Sequence, residues 1–198
     1  MHGSIQWCFM TKSTSPRVSK PNLQLLWSCT ISTIFILALC CFFEPHWETN
    51  DDVAMSMVAH GYGIAAVSTP NLFFSNVLWG YFVRSIPRIN GALGYSVATI
   101  GVLNFVGIVI LLSLRRLGVG WLIALSVLTI VLTRPVLFPQ FTINAGLVTV
   151  GAISCWYLYE QRGSMSALLI GCLLAWVGYL IRSMEFVLVL LVALPILP

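Results

Sequence analysis

The sequence predicts an all-α, polytopic integral membrane protein of about six transmembrane helices, with an outer first loop that carries surface-lying helices. Three observations predict it. Of the 198 residues, 59% are hydrophobic and 8% charged, and the mean hydropathy is +0.94, which excludes a soluble domain with a charged surface. Apolar runs of bilayer-crossing length recur along the chain. Four of the six acidic residues fall in one stretch, Glu44-Pro45-His46-Trp47-Glu48-Thr49-Asn50-Asp51-Asp52, so charge is concentrated where the first apolar run ends. The net charge of +4 is small and spread out, which argues against a nucleic-acid partner, since such a partner needs clustered Lys and Arg. Residues 1–22 form a cytoplasmic tail and residues 23–198 one transmembrane domain, whose first outer loop is 44–91.

The tail carries Lys12, Arg17 and Lys20 and no acidic residue, which places it in the cytoplasm by the positive-inside rule. Leu23 to Phe43 matches the roughly 30 Å of a bilayer core at about 1.5 Å per residue. It is too long for a signal-peptide core and no small-residue cleavage site follows, so it stays as an uncleaved first helix. Pro45 ends it. Asp51 or Asp52 then caps a short helix, Val53 to His60, with Val53, Met57 and His60 on one face, closed by Gly61 and Gly63.

Leu72 to Ile86 has an apolar part well under the usual span of about 17 residues. Asn76, Gly80 and Arg84 recur every four residues beside Phe73, Phe74, Trp79, Tyr81 and Phe82, the pattern of an interfacial helix. Basic residues number seven inside and three outside if it spans, six and four if it lies flat. That difference is one residue, so length decides. Ala92 to Leu114 spans and ends at Arg115-Arg116. Leu117 to Thr133 returns, stopping before Arg134-Pro135, and Phe141 to Tyr159 goes back to Glu160-Gln161-Arg162-Gly163. Ser166 to Pro198 would extend about 50 Å as one helix, so the polar Arg182-Ser183-Met184-Glu185 splits it. Gly101, Gly107, Gly146, Gly151, Gly171 and Gly178 let helices approach closely. The six cysteines read as small apolar residues: Cys29, Cys155 and Cys172 lie in apolar runs, and adjacent Cys40 and Cys41 are poorly placed to bridge.

Three constellations carry potential chemistry. Asp51-Asp52, beside Glu48, His46 and His60, has the residue types of a general base or a divalent-cation site, or of a solvated loop with a helix cap. No strict metal-ligand spacing supports the cation, and the cofactor stays undetermined. Arg182 and Glu185 are charges in an apolar run, which mark a site, a pair or a charged turn at the interface. With Arg84, Arg88 and Arg134 on the same side, four arginines surround the acidic loop, and the guanidinium fork suits phosphate. Phe138 to Asn144 is a polar return into the membrane, read as a helix start capped by Thr142.

This order of features resembles the amino-terminal half of the GT-C glycosyltransferases, multi-spanning enzymes that use polyprenyl-phosphate sugars. The resemblance rests on Glu48-Thr49-Asn50-Asp51-Asp52 after the first helix, surface helices ending near Arg84-Ser85-Ile86-Pro87, the helix ending at Arg115-Arg116, Thr142-Ile143-Asn144, and Gly178-Tyr179-Leu180-Ile181-Arg182. It implies that Asp52 or Asp51 deprotonates the acceptor and that Arg182 binds the carrier phosphate, with Arg84, Arg134, Glu48 and His60 lining the substrate site. It implies membrane lipids and a polyprenyl-phosphate sugar donor as partners, and an inner (plasma) membrane of bacterial type with the N-terminus cytoplasmic. Thr142-Ile143-Asn144 stands where an acidic residue is often found. The family continues with further helices beyond the point matching Pro198, which leaves a truncated C-terminus open.

The alternative is a non-catalytic polytopic membrane protein, either a transporter half or a truncated remnant. A transporter places ionisable groups near the midplane on broken helices, whereas these gather at one surface. A lipid-binding partner subunit would use the same arginines without catalysis.

Overall fold

The computed structural model describes residues 21–195; the tail, Cys8 and the last three residues lie outside them. Among the described residues the chain forms eight helices and no strand: α1 (Pro21–Phe42), α2 (Asn50–His60), α3 (Val77–Ser85), α4 (Gly94–Arg116), α5 (Trp121–Leu137), α6 (Phe141–Arg162), α7 (Met165–Ile181) and α8 (Ser183–Ala193). Helices α1, α4 and α6 are long and apolar enough to cross a membrane, and α5, α7 and α8 are shorter apolar helices. Leu26, Ile34, Leu122, Ile130, Leu169, Leu188 and Val192 point outward from them, so apolar surface faces the surroundings. The five described cysteines are free.

Helix α4 sits at the centre. One of its faces joins α2, α3, α6 and α7 around Met55, Val83, Tyr95, Val106, Val148 and Ile181. The other joins α1 and α5 around Ile36, Leu103, Leu111, Leu128 and Leu132. Lipid is as apolar as leucine, so membrane helices are held by close packing and hydrogen bonds rather than by burial alone. Both occur between α1 and α4. The Ser32 hydroxyl donates to the Asn104 side chain at 2.9 Å and to its carbonyl at 3.1 Å, and Asn104 Nδ2 donates to Thr33 at 3.1 Å. Gly107 makes that approach feasible, because a Cβ there would meet the Ser32 hydroxyl and come within 2.7 Å of a Leu132 methyl.

Several boundaries differ from those the sequence suggests. Helix α5 runs through Arg134-Pro135 to Leu137, because a proline in the last turn forfeits a single backbone bond and the turn at Gly118 delays the start. Buried α2 residues are Asp52, Met55, Ser56, Val58 and Ala59, one position away from the expected Val53–Met57–His60 face. Thr49, not an aspartate, occupies the α2 cap position, and Gln140, not Thr142, that of α6. Gly61 closes α2 with φ 68°, the left-handed conformation glycine adopts freely. Helix α3 has nine residues, about 14 Å, too short to cross. The apolar run after Ser166 is broken at one residue, Arg182, whose backbone is extended.

The two ends of the bundle differ in consequence. At one, the end of α1, the starts of α4, α6 and α8 and the ends of α5 and α7 meet the 44–91 segment. His46 and Glu48 donate backbone N–H groups to Leu137 and Pro139 at 2.9 and 3.3 Å, and Asn76 donates to Leu180 at 2.9 Å. At the other end lie Arg115, Arg116 and Glu160–Arg162.

Candidate functional site

The start of α6 is the meeting point. Asp52 is fully buried, and its Oδ1 accepts from the Phe141 backbone N–H at 3.1 Å and the Tyr95 hydroxyl at 2.9 Å. Its Oδ2 accepts from the Thr49 hydroxyl at 2.7 Å. A carboxylate at an amide-exposing helix start is favoured by the unpaired N–H groups and the helix dipole. Burial nevertheless raises its proton affinity, and nearby Asp51 adds to this, while the bonds from Thr49, Tyr95 and Phe141 act against it. Asp51 is exposed. The two adjacent carboxylates therefore do not form a paired site: a helix turns about 100° per residue, and only Asp52 faces inward.

One residue along, the Arg182 guanidinium donates to the Thr142 hydroxyl. It lies 4.9 Å from the Phe141 ring centre and 5.7 Å from that of Phe74, with those two rings stacked at 6.1 Å. Glu185 is 3.9 Å away. Cation–π contact and a planar donor fork hold the charge in place at the bundle end. A small cavity of about 230 Å³ opens nearby, between Phe74, Ser75, Asn76, Tyr179 and Ser183. A much larger apolar one, about 670 Å³, runs between α3, α4 and α7 past Trp79, Val97, Phe105 and Leu174.

The remaining expected site residues part company. Glu48 pairs with Arg134 at 2.6 Å, so these two secure the acidic loop to α5, and Trp47 against Tyr95 at 5.3 Å holds it to α4. Arg84 donates to Ser68 at 2.9 Å and lines a different hollow with His60. The four arginines thus do not form one clamp. Thr49, Tyr95 and Phe141, which pair with Asp52, carry no motif. Thr49 lies three residues before Asp52, the spacing of a local hydroxyl–carboxylate contact and the one signal for it. Among the described residues no three His, Cys, Asp or Glu side chains cluster as a metal site would require.

His60 Nε2 accepts from the Tyr95 backbone N–H at 3.1 Å, capping α4 and leaving the proton on Nδ1. Burial holds the imidazole below the usual histidine range, and Arg88 and Arg84 push it the same way. The unfolded chain binds the proton first, so this contribution to stability is fully present above about pH 6.5 and lost as pH falls through the folded value. Thermal unfolding in detergent is expected at lower temperature as pH drops across that window, with a flatter dependence in His60→Gln. Equal pH profiles would refute the assignment.

The chain matches no family model, no curated protein and no solved structure.

Proposed function

We propose that the protein is a membrane glycosyltransferase of the polyprenyl-phosphate type. The observation that carries this reading is the shared anchor: Asp52 bonds the first residue of α6 and Arg182 the second, so a carboxylate and a guanidinium stand at one helix start. In this reading α1 and α4–α8 supply six membrane segments, α2 and α3 lie along the outer surface, the N-terminus is cytoplasmic and the membrane is a bacterial inner membrane. The carrier phosphate sits at Arg182 and its hydrocarbon in the apolar cavity beside α3, α4 and α7.

Thr49 is half-buried and donates to Asp52 Oδ2, and in this reading it relays the proton. The acceptor hydroxyl gives its proton to Thr49 Oγ as the threonine proton passes to Asp52 Oδ2. The acceptor oxygen bonds the anomeric carbon, and the bond from that carbon to the phosphate oxygen breaks. The phosphate leaves with the electron pair, so one displacement inverts the sugar. The test is release or transfer of radiolabelled sugar from a polyprenyl-phosphate hexose by the chain in nanodiscs, with cysteine probes at Asn50, Ser85, Ser183 and Gln161 for sidedness. Turnover with the first three probes labelled from one side and Gln161 from the other supports the reading.

A second reading, a non-catalytic polytopic membrane protein, rests on the complete enclosure of Asp52. A carboxylate with three donors and no exposure ties α2, α4 and α6 together without any chemistry. Absence of turnover in an intact, correctly oriented protein selects it.

A further inference from the structure

We propose a second anion site, separate from the one at α6, formed by His60, Ser68, Tyr81, Arg84 and Ser85 and suited to a phosphate group. Its hollow of about 450 Å³ lies between the end of α2, the end of α3 and the loop joining them, large enough for a phosphate with a small substituent. Arg84, His60, Tyr81 and Ser68 bring donors to the lining, while the Ser85 hydroxyl is already given to the Phe82 carbonyl. Arg84 reaches in from the last turn of α3, holding Ser68 with one nitrogen and keeping other N–H groups of its five-donor fork. His60 faces the hollow with its Nε2 engaged by Tyr95, so Nδ1–H is the donor it has to offer.

Charge points the same way. Neither Arg84 nor Arg88 is ion-paired among the described residues, and the positive charge of both reaches His60. The carbonyl end of α3 opposes an anion with about half an elementary charge. The full guanidinium charge of Arg84 in the lining outweighs it, and Arg88, outside the lining but close enough to act on His60, adds its own. An anion on Nδ1–H also holds the tautomer in which Nε2 accepts from Tyr95, whose hydroxyl bonds Asp52. Occupancy of this hollow therefore steadies the buried carboxylate from a distance, and the site stands whether or not the protein transfers sugar.

Either an anionic lipid headgroup or free phosphate offers this chemistry, and calorimetric titration separates them. Inorganic phosphate is titrated into the full chain in neutral phosphatidylcholine nanodiscs, and again in nanodiscs doped with phosphatidic acid. Binding in the neutral discs, weakened about tenfold or more in Arg84→Gln and kept in Arg182→Gln, is expected. The exposed position of Arg84 spares the fold. Loss of free-phosphate binding in the doped discs identifies the lipid headgroup as the occupant, and retained binding identifies free phosphate. Equal affinity in wild type and Arg84→Gln, loss in Arg182→Gln instead, or no binding in neutral discs overturns the proposal.

Discussion

Asp52→Asn is expected to reduce sugar transfer by about 10²–10⁴-fold, the usual contribution of a positioned base, while the protein unfolds at the same temperature or higher. The two halves of this result have different causes. Asparagine is nearly isosteric with aspartate, its oxygen still accepts from Tyr95 and Phe141, and the Thr49 hydroxyl can turn to accept from the new amide. The fold therefore keeps its contacts. Because burial raises the proton affinity of Asp52, the folded state binds a proton more readily than the unfolded chain. The associated stabilisation is complete below about pH 3.9 and lost as pH rises through the folded value. At neutral pH the buried charge is a cost, and asparagine removes it. Asp52→Ala behaves otherwise, since it leaves buried donors unmatched at about 1–3 kcal/mol each and lowers the unfolding temperature. Asp51→Asn, at an exposed position, leaves both properties close to wild type. Transfer by Asp52→Asn at the wild-type rate would remove the base and leave the keystone role alone.

Arg182→Gln is expected to weaken binding of a polyprenyl phosphate about 10–100-fold, measured as the concentration giving half-maximal turnover. A hydrogen bond to a charged group contributes about 1.5–3 kcal/mol, which converts to that range. Arg182→Lys recovers part of it, because the ammonium keeps the charge and loses the flat fork that lies over Phe141 and Phe74. A purely structural arginine would lower the unfolding temperature in both variants and leave the half-saturation concentration unchanged. That outcome would take Arg182 out of the donor site.

Features set by neighbouring residues are legible in the sequence, and those set by distant contacts are not. The end of the first helix, closure of α2 at Gly61 and the break at Arg182 were legible because each is a property of a few consecutive residues: a proline, a glycine with positive φ, a charge in an apolar run. The face of α2 was not. Asp52, Met55, Ser56 and Ala59 recur at helical spacing, but the stripe begins with a carboxylate, and hydropathy alone assigns that to water. What brings it inside is a backbone N–H 89 residues away and a hydroxyl 43 residues away. Likewise the grouping of arginines on one side of the bundle is readable from charge, whereas their division between Glu48, Ser68 and Thr142 depends on helix packing.

The distance in sequence between Asp52 and its partner in α6 sets an order of assembly. A ribosome adding about 5–20 residues per second delivers Phe141 roughly 5–20 s after Asp52. During that interval the first loop is made, but its carboxylate has no amide to meet, and α4 and α5 must already be placed before α6 can supply one. The acidic loop is thus synthesised well before α6 and settles only after it. Nascent chains arrested before α6 should leave Asp52 open to carboxyl-modifying reagents, and chains arrested after it should protect that group.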